Sequence, residues 1–245
     1  DRYGVATHEA NLSRGEAITE AVADADVVVG ALASHLGFGA LRAVIEAGKP
    51  YVDISFMAED FLELSALAAE RGGTAVVECG VARGMSNMTA GRGVASLGRC
   101  ARLEIYVGGL PVERRWPYEY KAGFAPADVI EEYTRPARMV EPGEVVVYPA
   151  LSGIELLDFE GLGTLEAFRT DGLRSLIHTL EVPTMVEKTM RYPGHAELMR
   201  AMRDTGLFSK EPVVGKGGAG GAPGPVSPRA PPPAGLQGGG APPTG

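Results

Sequence analysis

Arg191 and His195 flank a Pro193-Gly194 turn and have side chains able to bind an anion or move a proton. The planar fork of arginine can meet a carboxylate in two hydrogen bonds, so Arg191 is the first candidate for an anion anchor. A structural ion pair is the alternative role for Arg191. Histidine titrates near neutral pH, so His195 could accept a proton or hold a water. Its alternative role is the N-cap of the helix that it opens.

Two further pairs of polar residues are candidates for ligand contact. Glu119 and Tyr120 lie in a dense aromatic patch, where a carboxylate and a ring face could bind a cation together. Such a patch also indicates a subunit interface, which tyrosine and tryptophan favour. Thr170 and Asp171 precede a glycine, so the sequence predicts a turn there first and a substrate contact second.

Residues 1–86 must position part of any such site, and they alternate short apolar strands with single helices. This order is typical of βαβ units in a parallel sheet, and the β-branched run at 26–30 is typical of a strand buried on both faces. The carboxyl ends of these strands share one edge, where a nucleotide or substrate would sit. The predicted strands are 26–30, 51–55 and 74–79, and the predicted helices are about 38–47 and 59–71.

Residues 87–208 follow a different pattern, which predicts an α+β domain. The chain from 209 to 245 is mostly Gly, Pro and Ala, so it cannot bury enough apolar surface to fold and is predicted to be disordered. We therefore expect domain boundaries after residues 86 and 208. The predicted strands are 102–111, 144–148, 164–168 and 187–192, and the predicted helices begin near Met85, Pro126, Leu173 and His195.

The composition excludes several classes of partner. A net charge of -8 over 245 residues argues against nucleic acid and anionic membrane, since both need a basic surface. No apolar run approaches the roughly 20 residues that span a bilayer. Cys79 and Cys100 form no metal or disulfide pattern, so we expect no metal site and a cytoplasmic location.

Several segments, in order along the chain, resemble the saccharopine dehydrogenase superfamily, most closely its lysine 6-dehydrogenase-like members. They include Arg191-Tyr192-Pro193-Gly194-His195-Ala196-Glu197 and the segment from Cys79 to Asn87, although the family commonly has proline where this chain has Arg83. No strand in residues 1–86 is followed by the family's G-x-G-x-x-G turn, so we expect the first βαβ unit upstream of Asp1. The other matching segments are 26–32, 51–53, 106–111, 119–120, 131–137 and 163–168.

This resemblance implies an α/β fold, with a truncated Rossmann parallel sheet followed by an α+β substrate and dimerisation domain. It further implies an oxidoreductase that uses NAD or NADP to oxidise the C–N bond of an amino acid. L-Lysine 6-dehydrogenase and saccharopine dehydrogenase-like activities are the first candidates, and carboxynorspermidine is a further substrate class. A non-catalytic Rossmann-derived dimerisation scaffold is the alternative from another class.

The resemblance also assigns roles to individual residues. A small amino-acid substrate would meet Arg191, His195, Glu119, Tyr120, Thr170 and Asp171, and a homodimer is expected. The loop that opens at Gly80 would bring the nicotinamide end of the cofactor to the substrate domain. The residues expected to contact the cofactor are Gly30, Ala31, Leu32, Asp53, Gly80, Val81 and Ala82.

Overall fold

A three-stranded parallel sheet forms the first part of the computed structural model, which describes residues 4–210. The central strand pairs in parallel with both neighbours, with Val28 opposite Tyr51 and Tyr51 opposite Ala75. The predicted parallel α/β arrangement is confirmed. Its strands are β1 (Val28–Gly30), β2 (Tyr51–Asp53) and β3 (Ala75–Val76), and its helices are α1 (Gly15–Ala21), α2 (Ser34–Glu46) and α3 (Ser65–Arg71).

Helix α2 covers one face of this sheet. Its residues Leu41, Val44 and Ile45 recur at helical spacing and are buried in one cluster with Tyr51. Burying each such side chain contributes about 1.5–3 kcal/mol. The sequence predicted that β1 is buried on both faces, but on the other face Val29 is 70% exposed. Within the described residues, therefore, β1 is buried on one face and not on both.

A six-stranded mixed sheet forms the second half of the molecule. Its central strand, β9 (Met185–Arg191), pairs in parallel with β4 (Leu103–Gly108) and antiparallel with β8 (Gly163–Arg169). At its start, β9 also pairs with β5 (Ala137–Glu141). The remaining elements are β6 (Glu144–Tyr148), β7 (Glu155–Phe159), α4 (Met85–Leu97), α5 (Pro126–Thr134), α6 (Leu176–Thr179) and α7 (His195–Asp204).

The start of α7 corrects one interpretation of His195. The helix begins at His195 as predicted, but its N-cap is Gly194, which has φ 93°. The carboxylate of Glu166 accepts hydrogen bonds from the backbone N–H groups of Gly194 (3.1 Å) and Ala196 (2.7 Å). Glu166 therefore satisfies the free N–H groups of the helix end, and the N-cap role proposed for His195 is wrong.

Polar contacts hold the two halves of the chain together. The guanidinium of Arg174 donates to the carbonyl oxygens of Ala58 (3.0 Å) and Glu59 (2.5 Å). The carboxylate of Glu78 accepts from the backbone N–H of Ser175 at 3.2 Å. These groups are largely buried, so the ends of β2 and β3 are fixed against the second sheet.

Three sequence-based predictions concern features outside these contacts. The predicted boundary between residues 86 and 87 falls within the first turn of α4 and stays a prediction, as does the homodimer. The predicted disordered tail lies outside the described residues from 211 onward. No helix within residues 4–210 is both long enough and apolar enough to cross a membrane.

Candidate active site

A cavity of about 560 Å³ lies between the carboxyl edge of the parallel sheet and the second sheet. One wall consists mostly of alanine and glycine residues that follow β1 and β3, at 31–33 and 80–82. The opposite wall is charged, with residues from α5 and β9 and from the turn after β8. Its ionisable residues include Arg135, Arg191, Glu131, Glu132 and Glu187, and Arg83 lines the cavity from the loop after β3.

The cavity brings together nine of the thirteen residues that the sequence put forward for the site. Five belong to the expected cofactor side and four to the expected substrate side. The nine lining residues are Ala31, Leu32, Gly80, Val81, Ala82, Tyr120, Thr170, Asp171 and Arg191. The other four, Gly30, Asp53, Glu119 and His195, do not line this cavity.

Gly30 and Asp53 lie just behind the cofactor-side wall. A Cβ on Gly30 would fall 1.9 Å from the Tyr51 hydroxyl, so the glycine makes room for that ring. Asp53 is fully buried, and its Oδ1 accepts from the Ser55 N–H (2.8 Å) and hydroxyl (2.6 Å). Burial raises the pKa of Asp53 despite these bonds. Both residues shape the wall from behind, because Ser55 in turn accepts from the Leu32 N–H at 3.0 Å.

Arg191 ends β9 and forms a buried ion pair with Glu132. Its Nη2 lies 2.7 Å from the Glu132 carboxylate, and its guanidinium lies 4.3 Å from the centre of the Tyr120 ring. Burial raises the pKa of Glu132. Attraction to Arg191, and less strongly to Arg83, offsets part of this rise. The structural ion pair foreseen for Arg191 is therefore present, within the wall of the cavity.

Asp171 forms an ion pair with Arg138, while the Thr170 hydroxyl bonds to a different carboxylate. Arg138 donates to both oxygens of Asp171, at 2.9 and 2.7 Å. Burial raises the pKa of Asp171, but the hydrogen bonds and charge of Arg138 outweigh burial and bring it below its ordinary value. The Thr170 hydroxyl donates to Glu187 at 2.6 Å. Asp171 thus fixes the turn, and Thr170 orients a group that the sequence did not single out.

His195 and Glu119 lie beside a second, smaller cavity of about 310 Å³. Both ring nitrogens of His195 are engaged, with Nε2 2.8 Å from the Tyr133 hydroxyl and Nδ1 2.9 Å from the Tyr118 carbonyl oxygen. The Arg114 Nε donates to the Glu119 carboxylate at 2.8 Å. The ring of Tyr120, which lines the main cavity, has its centre 5.5 Å from that of His195.

We expect His195 to make the fold sensitive to acid. Burial lowers the pKa of His195 to about 4, whereas an unfolded histidine titrates near 6.5. As the pH falls, this histidine is therefore protonated in the unfolded chain before it is protonated in the folded one. The free energy of unfolding decreases as the pH falls from about 6.5 toward 4, by up to roughly 3 kcal/mol. In urea unfolding across this range, His195→Gln should flatten the loss, while His178→Gln, at an exposed site, should not. An unchanged slope in His195→Gln would contradict the assignment.

Arg83 and Arg135 enclose the ring of Phe56, an arrangement that the sequence did not predict. Their guanidinium carbons lie 3.9 and 4.6 Å from the ring centre. Arg83 is 7% exposed, and its Nη1 lies 3.7 Å from the Glu78 carboxylate. Burial lowers the pKa of Arg83 to about 10, which Glu78 partly opposes. Arg83 is thus part of the cavity wall and does not face water.

Glu187 is the second group that sequence reasoning missed. It lies in β9, is 5% exposed and lines the cavity. The only available signal was a glutamate at the start of the predicted strand 187–192. Burial raises the pKa of Glu187 to about 7, which the Thr170 hydrogen bond and Arg83 partly offset. A carboxyl group with such a pKa can take up and release a proton near neutral pH.

The cofactor-side wall fits the nicotinamide end of a dinucleotide. Alanine and glycine dominate at residues 31–33 and 80–82, so a flat ring and a ribose could approach the backbone closely. The wall also occupies the position beyond the carboxyl ends of parallel strands where such ligands bind. In residues 4–210, no group of three or more His, Cys, Asp or Glu side chains is arranged to hold a metal ion.

Family comparison agrees with both halves of this architecture. Residues 1–76 match the saccharopine dehydrogenase NADP binding domain, and residues 80–218 match the saccharopine dehydrogenase C-terminal domain. The chain belongs to the saccharopine dehydrogenase family. The predicted resemblance is confirmed, and the matched domain agrees with the predicted cofactor, NAD or NADP.

Individual relatives share the fold at low identity. The chain is 26% identical over 212 residues to the mitochondrial alpha-aminoadipic semialdehyde synthase of Bos taurus, covering 80% of this chain and 23% of that protein. It is 25% identical over 221 residues to the Arabidopsis thaliana alpha-aminoadipic semialdehyde synthase, covering 82% of this chain and 20% of that protein. A Saccharomyces cerevisiae saccharopine dehydrogenase (L-Glu forming) superposes with a TM-score of 0.62 at 19% identity, covering 84% of this chain and 48% of that one. The chain therefore spans about a fifth of its curated relatives.

Proposed function

We propose that this chain is part of an NAD(P)-dependent oxidoreductase that acts on the C–N bond of an amino acid. L-Lysine and saccharopine are the two candidate substrates. The observation that carries the proposal is the cavity itself. Within it, a wall of mostly small residues at the strand ends lies opposite a wall of arginines and carboxylates. The name of the yeast saccharopine dehydrogenase, whose fold this chain shares, supports saccharopine.

The cavity residues divide the tasks of amine oxidation between its walls. The guanidinium groups of Arg83, Arg135 and Arg191 line the cavity and would offer donors to a substrate carboxylate. Tyr120 presents a ring beside Arg191 and would close that end of the cavity. When bound, NAD(P)⁺ supplies the hydride acceptor. Residues 31–33 and 80–82 would hold its nicotinamide end close to the substrate carbon.

The test is nicotinamide reduction by the complete gene product. With NAD⁺ or NADP⁺ present, we expect absorbance at the reduced-nicotinamide band to rise when L-lysine or saccharopine is added. Norleucine, which lacks the side-chain amine of lysine, is the matched control and should give no change. Product analysis then separates the two substrates, since only saccharopine can release a second amino acid. A protein that binds neither NADH nor NADPH would contradict the assignment.

A further inference from the structure

Glu187 differs from the other carboxylates that line the cavity. Glu187 and Asp128 form no ion pair within residues 4–210, whereas the other three are each held by at least one cation. Both oxygens of Asp128 are instead within hydrogen-bond distance of the Ser34 N–H. A carboxylate held by a cation is a poor proton acceptor, because the pairing stabilises its charged form. The four occupied carboxylates are Asp128 with the Ser34 N–H, Glu131 with Arg135 and Lys210, Glu132 with Arg191, and Asp171 with Arg138.

Two threonines and a glycine fix the position of the Glu187 carboxyl group. The Thr170 hydroxyl lies 2.6 Å from its Oε2 and 2.8 Å from the Thr189 hydroxyl, which forms a short chain of exchangeable protons. A Cβ on Gly172 would fall 2.3 Å from the Glu187 carboxyl carbon, so this glycine leaves the space that the carboxyl group occupies. Both threonines and the glycine also line the cavity. The group is therefore held in one place beside the substrate space.

We propose that Glu187 is the proton acceptor of this site, taking the proton from the substrate ammonium before the C–N bond is oxidised. This inference rests on the proposed oxidoreductase function. The Thr170 and Thr189 hydroxyls keep the carboxyl group oriented while it changes its protonation state. Arg83 and Glu132, which face the cavity from the loop after β3 and from α5, set the field in which it titrates.

The charges around Glu187 suit this role. Arg83 favours the charged carboxylate and Glu132 opposes it, so neither form is strongly fixed. Burial raises the pKa of Glu187 to about 7. A base with this pKa is about half ionised at neutral pH and still binds a proton readily, which is the best compromise for general base catalysis.

The proton balance of the reaction is complete with this assignment. The ammonium N–H bond breaks, and its proton moves to a Glu187 oxygen, which leaves a neutral amine. The nitrogen lone pair then forms the C=N bond as the adjacent carbon loses a hydride, so the substrate is oxidised to an iminium ion while the NAD(P)⁺ is reduced. Water adds to the iminium carbon, its two protons move to the nitrogen, and the C–N bond breaks to leave a carbonyl group and an ammonium ion. Glu187 releases its proton to solvent.

The first experiment compares Glu187→Gln with Glu144→Gln in the complete gene product. Glu144 is exposed on β6, so its variant should keep the parent activity. Since a positioned base contributes at least 100-fold, kcat in Glu187→Gln should fall by about that factor, and the acid limb of kcat/KM near pH 7 should disappear. Thr170→Val should move the same limb to higher pH, because the Thr170 bond lowers the Glu187 pKa. An intact limb in Glu187→Gln, with NADH affinity preserved, would overturn the proposal.

The second experiment follows the carboxyl group directly and needs no turnover. Infrared difference titration of protein with ¹³C-labelled glutamate should show one carboxyl that titrates near pH 7 in the parent and in Glu144→Gln, but not in Glu187→Gln. Absence of that signal in the parent overturns the assignment of Glu187, whatever the activity. Presence of the signal in a protein that oxidises no amino acid supports the titration and contradicts the proposed function instead.

Discussion

Replacing Arg191 with alanine is expected to lower the free energy of unfolding by about 3–5 kcal/mol, the range seen when one partner of a buried ion pair is removed. Arg191 is 3% exposed and lies 2.7 Å from the Glu132 carboxylate. Without the guanidinium, that carboxylate would remain buried with its charge no longer balanced by Arg191. The Tyr120 ring would also lose the cation packed 4.3 Å from its centre. Urea unfolding at neutral pH measures the change.

A double variant separates the pair from simple loss of packing. Arg191→Met combined with Glu132→Leu removes both charges and fills much of the same volume, so it should recover most of the lost stability. Arg115→Ala is the matched control, because Arg115 forms an exposed ion pair with Glu113 and should cost less than about 1 kcal/mol. A loss below about 1 kcal/mol in Arg191→Ala would show that the buried pair contributes little.

Sequence periodicity predicted the framework because the elements that form it carry strong local signals. The stripe of Leu41, Val44 and Ile45 defines a buried helix face, and Pro126 marks the first turn of α5 as predicted. β5 and β7 were missed, since Ala137–Glu141 and Glu155–Phe159 contain no β-branched run, although Pro142-Gly143 marks a turn after β5. Tertiary pairing forms these two strands, not local propensity.

The sequence predicted the residues of the site only where they directly follow the carboxyl ends of strands. The small residues after β1 and β3 line the cavity because carboxyl ends of parallel strands share an edge. Glu187 and Arg83 could not be found in this way, since burial and neighbours give them their properties. His195 shows the converse case, because a residue type suited to proton transfer is hydrogen-bonded on both nitrogens beside a different cavity.

Replacing Gly84 with alanine is expected to cost roughly 3 kcal/mol of stability and to weaken NADH binding. Gly84 has φ 140°, a conformation that side chains rarely adopt. A Cβ there would fall 2.1 Å from the Gly80 carbonyl oxygen and 2.6 Å from its nitrogen. These are backbone atoms, so the chain itself must move. The displaced segment, residues 80–83, forms part of the cavity wall, and thermal unfolding with an NADH titration measures both effects.

Gly91→Ala provides a control with the opposite sign in the same helix. Gly91 lies inside α4, and a Cβ there would have no neighbouring atom within 4 Å, so alanine should add about 0.5–1 kcal/mol through helix propensity. If Gly84→Ala changed the free energy of unfolding as little as Gly91→Ala does, the loop between Gly80 and Gly84 would be able to relax freely. A large loss in Gly84→Ala alone would mean that this tight backbone approach holds the cofactor-side wall in the shape that the cavity requires.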